Sequence, residues 1–301
     1  MHVHLIDGTY ELFRHHYSPR NNDPERGAIR GVLRSMVWLL EQGGPDGTPV
    51  THVGVATDHV IESFRNALWP TYKSSAGMPP ELTAQFHPLE DALRALGLTV
   101  WAMTDLEADD ALATAAAQAA ADDRVEQVVI ATPDKDLGQC VVGDRVVQWD
   151  RMRGTVRDAD GVFDKFGVPP AAIPDWLALV GDTADGFPGI PGFGAKTAAT
   201  LLTRFGRIVD IPTDPTGWGK GVRGAARLAE TLAERRAEAE LFTTLATLVT
   251  DGDIGTTVDD LEWTGPTEDF AQLCTTLDAD DLPERVAAVL EAPADPGDVA
   301  L

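Results

Sequence analysis

Residues 98–138, LTVWAMTDLEADDALATAAAQAAADDRVEQVVIATPDKDLG, contain two short apolar runs separated by an alanine-rich stretch. Residues 98–102 and 127–131 read as strands, and residues 107–121 between them read as a helix. A strand–helix–strand unit of this kind is the building block of a parallel sheet covered by helices. The pattern extends outward: residues 2–7, 50–57 and 145–149 read as further strands, and residues 28–40 and 81–96 as helices. An α/β class follows, with a central, mostly parallel sheet whose strand carboxyl ends gather ligands. Beyond Asp158 the segments 170–179, 195–204, 225–248 and 268–277 all read helical, which predicts a helical second domain.

The composition is that of a globular protein: 301 residues, 44% hydrophobic and 24% charged. No apolar run is long enough to cross a bilayer. The opening MHVHLIDGTYELF has no basic region leading into a long apolar stretch, so no secretion signal is read and the cytoplasm is the expected compartment. Cys140 and Cys274 are too few for a disulfide framework or a thiolate zinc site. With 24 basic and 48 acidic residues the net charge is −24, the wrong sign for long-range attraction to phosphates. Any contact with nucleic acid must therefore use local donors and metal ions.

The acidic residues are informative by position. Asp7 and Asp58 end strands; Glu107, Asp109 and Asp110 open the alanine-rich helix; Asp134 and Asp136 follow the strand in VVIATPDKDLG; Asp182 and Asp185 lie in GDTADG after a helix. Glu107 and Asp110, three apart, share a helix face and can point at one ligand, while Asp109 points elsewhere, as a bridge to a second ion. Taken singly, such residues are ordinary turn and cap residues. Brought together on one rim they would repel one another strongly unless cations lay between them. Oxygen ligands without a nearby His or Cys cluster favour Mg²⁺ or Mn²⁺, and a pair of such ions is a general device for phosphodiester hydrolysis.

Residues 187–202, FPGIPGFGAKTAATLL, read as a helix-hairpin-helix. Gly189, Gly192 and Gly194 permit a tight turn, and a helix starts near Ala195. Backbone amides there can meet phosphate oxygens without reading bases, with Lys196 adding charge and Thr197 standing beside it.

Five blocks in order, LIDGTYELFR, SFRNALWPTYKS, LEADDALAT, ATPDKDLGQ and LALVGDTADGFPGIPGFGAKTA, resemble the 5′ nuclease domain of bacterial DNA polymerase I and related phage and flap endonucleases. The resemblance implies a PIN-like nuclease domain over 1–164 with a helical arch near 66–82. A helical DNA-binding domain over 165–291 carries the helix-hairpin-helix, or helix-three-turn-helix, near 182–205, and a flexible tail spans 292–301. It implies a metal site of Asp7, Asp58, Glu107, Asp109, Asp110, Asp134, Asp136, Asp182 and Asp185, holding two or more Mg²⁺ with Mn²⁺ as substitute. Lys73 and Arg65 join Asp134 and Asp136 as catalytic residues, Lys73 at the base of the arch orienting the scissile phosphate. Arg14 matches a basic DNA-contact position, and Tyr72 either stacks on a base or packs internally. A potassium ion is implied at backbone carbonyls within 189–194. The expected partner is DNA with a free 5′ end, flap or junction, with no membrane and no protein partner identifiable.

The sequence departs from the family in two places. Ser74, Ser75, Ala76 and Gly77 follow the Tyr-Lys pair where relatives place another basic residue, which predicts a thinly charged arch and a weak grip on substrate. Gly186 stands where relatives commonly have Asn, which predicts a looser turn. The absence of a polymerase segment or clamp-binding motif before Leu301 suggests a stand-alone nuclease. Two other readings share the same residues: a branched-DNA-binding module that cuts poorly, and a metal-dependent ribonuclease.

Overall fold

The computed structural model describes residues 1–291; the expected tail, 292–301, lies outside the described residues. Its centre is a sheet of strands β1 (His2–Asp7), β2 (His52–Asp58), β3 (Thr99–Met103), β4 (Gln127–Ala131), β5 (Val146–Asp150) and β6 (Thr155–Arg157), in the spatial order β3-β2-β1-β4-β5-β6. The first five are parallel, and β6 closes the edge antiparallel to β5. Short, exposed β6 escaped the periodicity reading. The chain winds from β1 outward to β3 and then crosses back to β4 on the other side of β1. The carboxyl ends of β1, β2 and β4 therefore border a crevice, the usual place for ligands in such sheets.

Helices cover both faces. A short α3 (Arg65–Leu68) follows β2, and on one face lie α1 (Gly8–His16), α2 (Gly27–Gln42), α4 (Pro80–Thr83) and α5 (Phe86–Ala95). On the other, α6 (Ala108–Ala121) buries an alanine face against Val3, Leu5, Val128 and Ile130. Alanine's small side chain lets helix and sheet approach closely. The single helix expected over 81–96 is two, because Pro88 has no amide to continue hydrogen bonding to Ala84, and Gln85 donates instead to the carbonyls of Glu81 and Pro24.

After α7 (Ala159–Phe166) the chain forms α8 (Ile173–Val180), α9 (Ala195–Phe205), α10 (Ala225–Glu234) and α11 (Arg236–Ala246), around a core of their own that includes Leu177, Phe187, Leu201 and Phe242. The helix expected over 225–248 breaks at Arg235. There Arg236 turns inward to donate to the carbonyls of Ile208 and Ile211. The last helices, α12 (Phe270–Thr276) and α13 (Leu282–Glu291), were expected with the helical domain but pack on the sheet side. Phe270, Leu282 and Val286 share a core with Leu33 and Leu89, and Arg285 pairs with Glu41. No helix among the described residues is long and apolar enough to cross a membrane.

Candidate metal centre and nucleic-acid interface

Each strand that ends at the crevice delivers a carboxylate. Asp7, at the end of β1, caps α1 by accepting the Tyr10 amide at 2.8 Å, and its other oxygen accepts the Thr132 hydroxyl at 3.0 Å. Burial, reinforced by Asp134 and Asp58, pushes its pKa up to about 7. Asp58, at the end of β2, accepts the Ala108 amide at the start of α6 at 2.8 Å, and burial raises it as well. Asp109 is raised well above the usual carboxylate range by burial and by Asp134 and Asp7. Asp134 follows β4 in a turn where Thr132 Oγ1 accepts its amide and its own Oδ1 accepts the Asp136 amide. Asp7, Asp58, Asp109, Asp134 and Asp185, with Lys73, line one cleft of about 400 Å³.

A second group adjoins it. Asp136, Asp182 and Asp185 bring one oxygen each within 4.8 Å of one another. Burial and neighbouring acids push Asp136 well up, and Asp185 up to about 6. Asp136 Oδ1 is buried with no hydrogen-bond partner among the described residues. A buried acceptor of this kind costs on the order of 1–3 kcal/mol unless something satisfies it. Three mutually repelling carboxylates and an unsatisfied buried oxygen make a donor set that fits a hard divalent cation.

Not every residue expected in the metal site faces it. The shared face of Glu107 and Asp110 has a different occupant, the guanidinium of Arg65. Its Nη1 lies 2.7 Å from Asp110 Oδ2 and 3.1 Å from Glu107 Oε1, and its Nη2 donates to Asp110 Oδ1 at 2.7 Å. Asp110 also accepts the amides of Glu107 and Val249, so both its oxygens are engaged. Arg65 is only 1% exposed and donates further to the Leu245 and Thr247 carbonyls at the end of α11. Buried this way, it acts on the cleft only through Glu107, and it straps the end of α11 to the start of α6. Asp109, expected as a bridge to a second ion, is the acid of that helix start that lines the cleft.

Lys73 lies where the resemblance implied, with its ammonium 2.6 Å from Glu107 Oε2 and 3.8 Å from Asp58 Oδ2. Burial opposes its charge, but Asp58, Glu107, Asp109 and Asp185 outweigh burial and hold its pKa well above the ordinary value. Of the two readings of Tyr72, internal packing is the one found: it is 4% exposed, with its hydroxyl 3.4 Å from Glu107 Oε2, so its ring offers no face to a base. Arg14 pairs with buried Glu11 and donates to Ser35, with its side chain 20% exposed. Sequence reasoning missed Thr132 and Ser63, whose hydroxyls hold Asp7 and Glu107. A hydroxyl beside an acid is too common a pattern to flag such residues.

The hairpin runs from α8 to α9. Gly189 is buried at φ +70°, and a side chain there would meet Gly181 N at 2.3 Å; it shapes the turn and shows no surface to DNA. Gly192, Gly194 and Lys196 are exposed at or before the start of α9, with Thr197 half-buried. Gly186 tightens its loop instead of loosening it: at φ +78° a Cβ would stand 2.0 Å from the Thr71 carbonyl. Its own carbonyl accepts from Trp69 and Thr71, and Lys73 N donates to Asp185 O. The base of the expected arch is thus stitched to the loop that carries Asp182 and Asp185.

A nuclease with a carboxylate cleft at the switch point of a parallel sheet is the class that fold and site define. The family described as "5'-3' exonuclease, N-terminal resolvase-like domain" matches residues 2–167, and "5'-3' exonuclease, C-terminal SAM fold" matches residues 168–269. A 5'-3' exonuclease of Buchnera aphidicola is 31% identical over 281 residues, covering 90% of this chain and 87% of its own. DNA polymerase I of Pseudomonas aeruginosa is 38% identical over 270 residues, 85% of this chain; the chain spans only 28% of that relative's length. The protein belongs to the 5'-3' exonuclease family. Among solved structures, the T5 5'-exonuclease with bound zinc shares the fold at TM-score 0.65 and 19% identity, covering 97% of this chain and 99% of that one. The catalytic core of Rad2 in complex with DNA substrate does so at TM-score 0.64 and 13% identity, covering 95% and 91%.

Proposed function

We propose that the protein is a structure-specific 5′ nuclease that hydrolyses DNA phosphodiesters near 5′ ends, flaps or junctions with two Mg²⁺ or Mn²⁺ ions. The observation that carries this reading is the meeting of two carboxylate groups in one buried crevice. Asp7, Asp58, Asp109 and Asp134 would hold one ion and Asp136, Asp182 and Asp185 the other. Bound there, the ions supply Lewis acidity for forming hydroxide and charge for the attacking and leaving oxygens.

The chain's own residues do the rest. Lys73, at the cleft mouth and 23% exposed, is placed to follow a scissile phosphate with its ammonium. Arg65 and Ser63 fix Glu107, and Thr132 fixes Asp7. The amides and Lys196 at the start of α9 offer sequence-independent contact to a duplex backbone, and the carbonyls within 189–194 are the place for the potassium ion. Ser74, Ser75, Ala76 and Gly77 leave the arch without further positive charge, so grip on the 5′ strand rests on Lys73.

The test is cleavage of a labelled 5′-flap DNA in Mg²⁺. Asp134→Asn, which removes the acid bordering both groups, should lower the rate by more than about a hundredfold while circular dichroism stays unchanged. Wild-type cleavage by the variant would refute the site, and faster cutting of a matched RNA flap would make the protein a ribonuclease.

A further inference from the structure

Lys135 stands between Asp134 and Asp136 in the sequence. Its ammonium lies 2.6 Å from Asp182 Oδ2, and Asp182 is itself only 2% exposed. It therefore sits inside the second carboxylate group, whose Asp136, Asp182 and Asp185 oxygens lie within 4.8 Å of one another. We propose that Lys135 is a resident counter-cation of this group, which holds the place of the second divalent ion and must leave when that ion binds.

Three observations support displacement over permanent pairing. The Lys135 side chain is 33% exposed, so its flexible stem can carry the charge out to water without backbone movement. One ammonium brings a single charge and cannot serve three acids, and Asp136 Oδ1 is the oxygen left without a partner. Asp182 itself is held by a backbone donor whichever cation is present, since its Oδ1 accepts the Ala184 amide at 2.9 Å, so the oxygen that faces Lys135 can change its cation without loss of position. An ion entering the second group must compete with Lys135, so that position fills weakly until phosphate oxygens of a bound strand add ligands. Loading of the second ion then follows substrate, which limits idle metal chemistry in the absence of DNA.

This rests on the two-ion reading, and the experiment separates the two. Mn²⁺ would be titrated into the full chain without DNA, following free Mn²⁺ by electron paramagnetic resonance, for wild type, Lys135→Met and Lys135→Arg. The expected result is one tight and one weak site in wild type and in Lys135→Arg, with the weak site about tenfold tighter in Lys135→Met because a short-range, partly screened competing charge is gone. In chelator, Lys135→Met should also melt below wild type, and Mn²⁺ should close that gap. An unchanged weak site together with an unchanged melting point would overturn the role of Lys135 alone. Two equally tight sites in wild type would do the same, and no Mn²⁺ uptake in wild type would overturn the two-ion reading with it.

Discussion

The two carboxylate groups of the crevice are neighbours built on different terms. On the sheet side, strand ends and helix starts supply fixed donors: Tyr10 N and Thr132 for Asp7, Ala108 N for Asp58, Ser63 and Arg65 for Glu107. On the loop side, Asp182 accepts the Ala184 amide at 2.9 Å with one oxygen and faces the Lys135 ammonium with the other, and Asp136 keeps an oxygen without a partner among the described residues. Regular structure thus holds acids in place before any cation arrives, whereas the loop group is completed by its cation.

That contrast can be broken by removing the fixed donors. Arg65→Ala leaves Asp110 and Glu107 as buried acids without their guanidinium and should cost about 3–5 kcal/mol of stability, read by urea unfolding. Arg65→Lys should recover little of this, because the pairing with Asp110 is bidentate. Thr132→Val keeps the volume and removes the donor to Asp7. It should weaken the tight Mn²⁺ site by roughly 10–100-fold and leave the weak one unchanged, the reverse of the effect at Lys135. Gly186→Ala should cost about 1–3 kcal/mol, since its positive φ and the Thr71 carbonyl leave no room for a Cβ; a variant as stable as wild type would show that the arch base is not stitched to the loop.

The smallest effect concerns pH. Asp7 and Asp185 are held up near 7 and 6, so the folded chain binds protons that the unfolded chain releases near pH 4. In chelator, stability is therefore fully present below the unfolded pKa and is lost as pH rises through about 6 to 7. Thermal melts from acid to neutral pH should show this decline. Mg²⁺ should remove most of it, because the cation takes over from the protons.

The sheet was legible because fully buried parallel strands are written as short apolar runs, as in VVIA before Asp134. The acids were legible because strand ends and helix starts are local features. What the sequence could not show was pairing across distance. Glu107 and Asp110 share a face by spacing alone, but the partner on that face, Arg65, lies some forty residues earlier and is brought there by tertiary packing. Tyr72 follows the same logic, since an aromatic beside Lys73 reads equally as platform or core until α11 and the hairpin bury it. Gly186 looked like a weakened turn because the carbonyl of Thr71, which excludes any side chain there, belongs to another loop.

Whether these acids hold a pair of divalent ions is decided by anomalous diffraction from crystals soaked in Mn²⁺. Two peaks are expected, one among Asp7, Asp58, Asp109 and Asp134 and one among Asp136, Asp182 and Asp185, with Lys135 swung away from Asp182. A crevice without manganese, or manganese bound only at surface acids elsewhere, would contradict the two-ion reading.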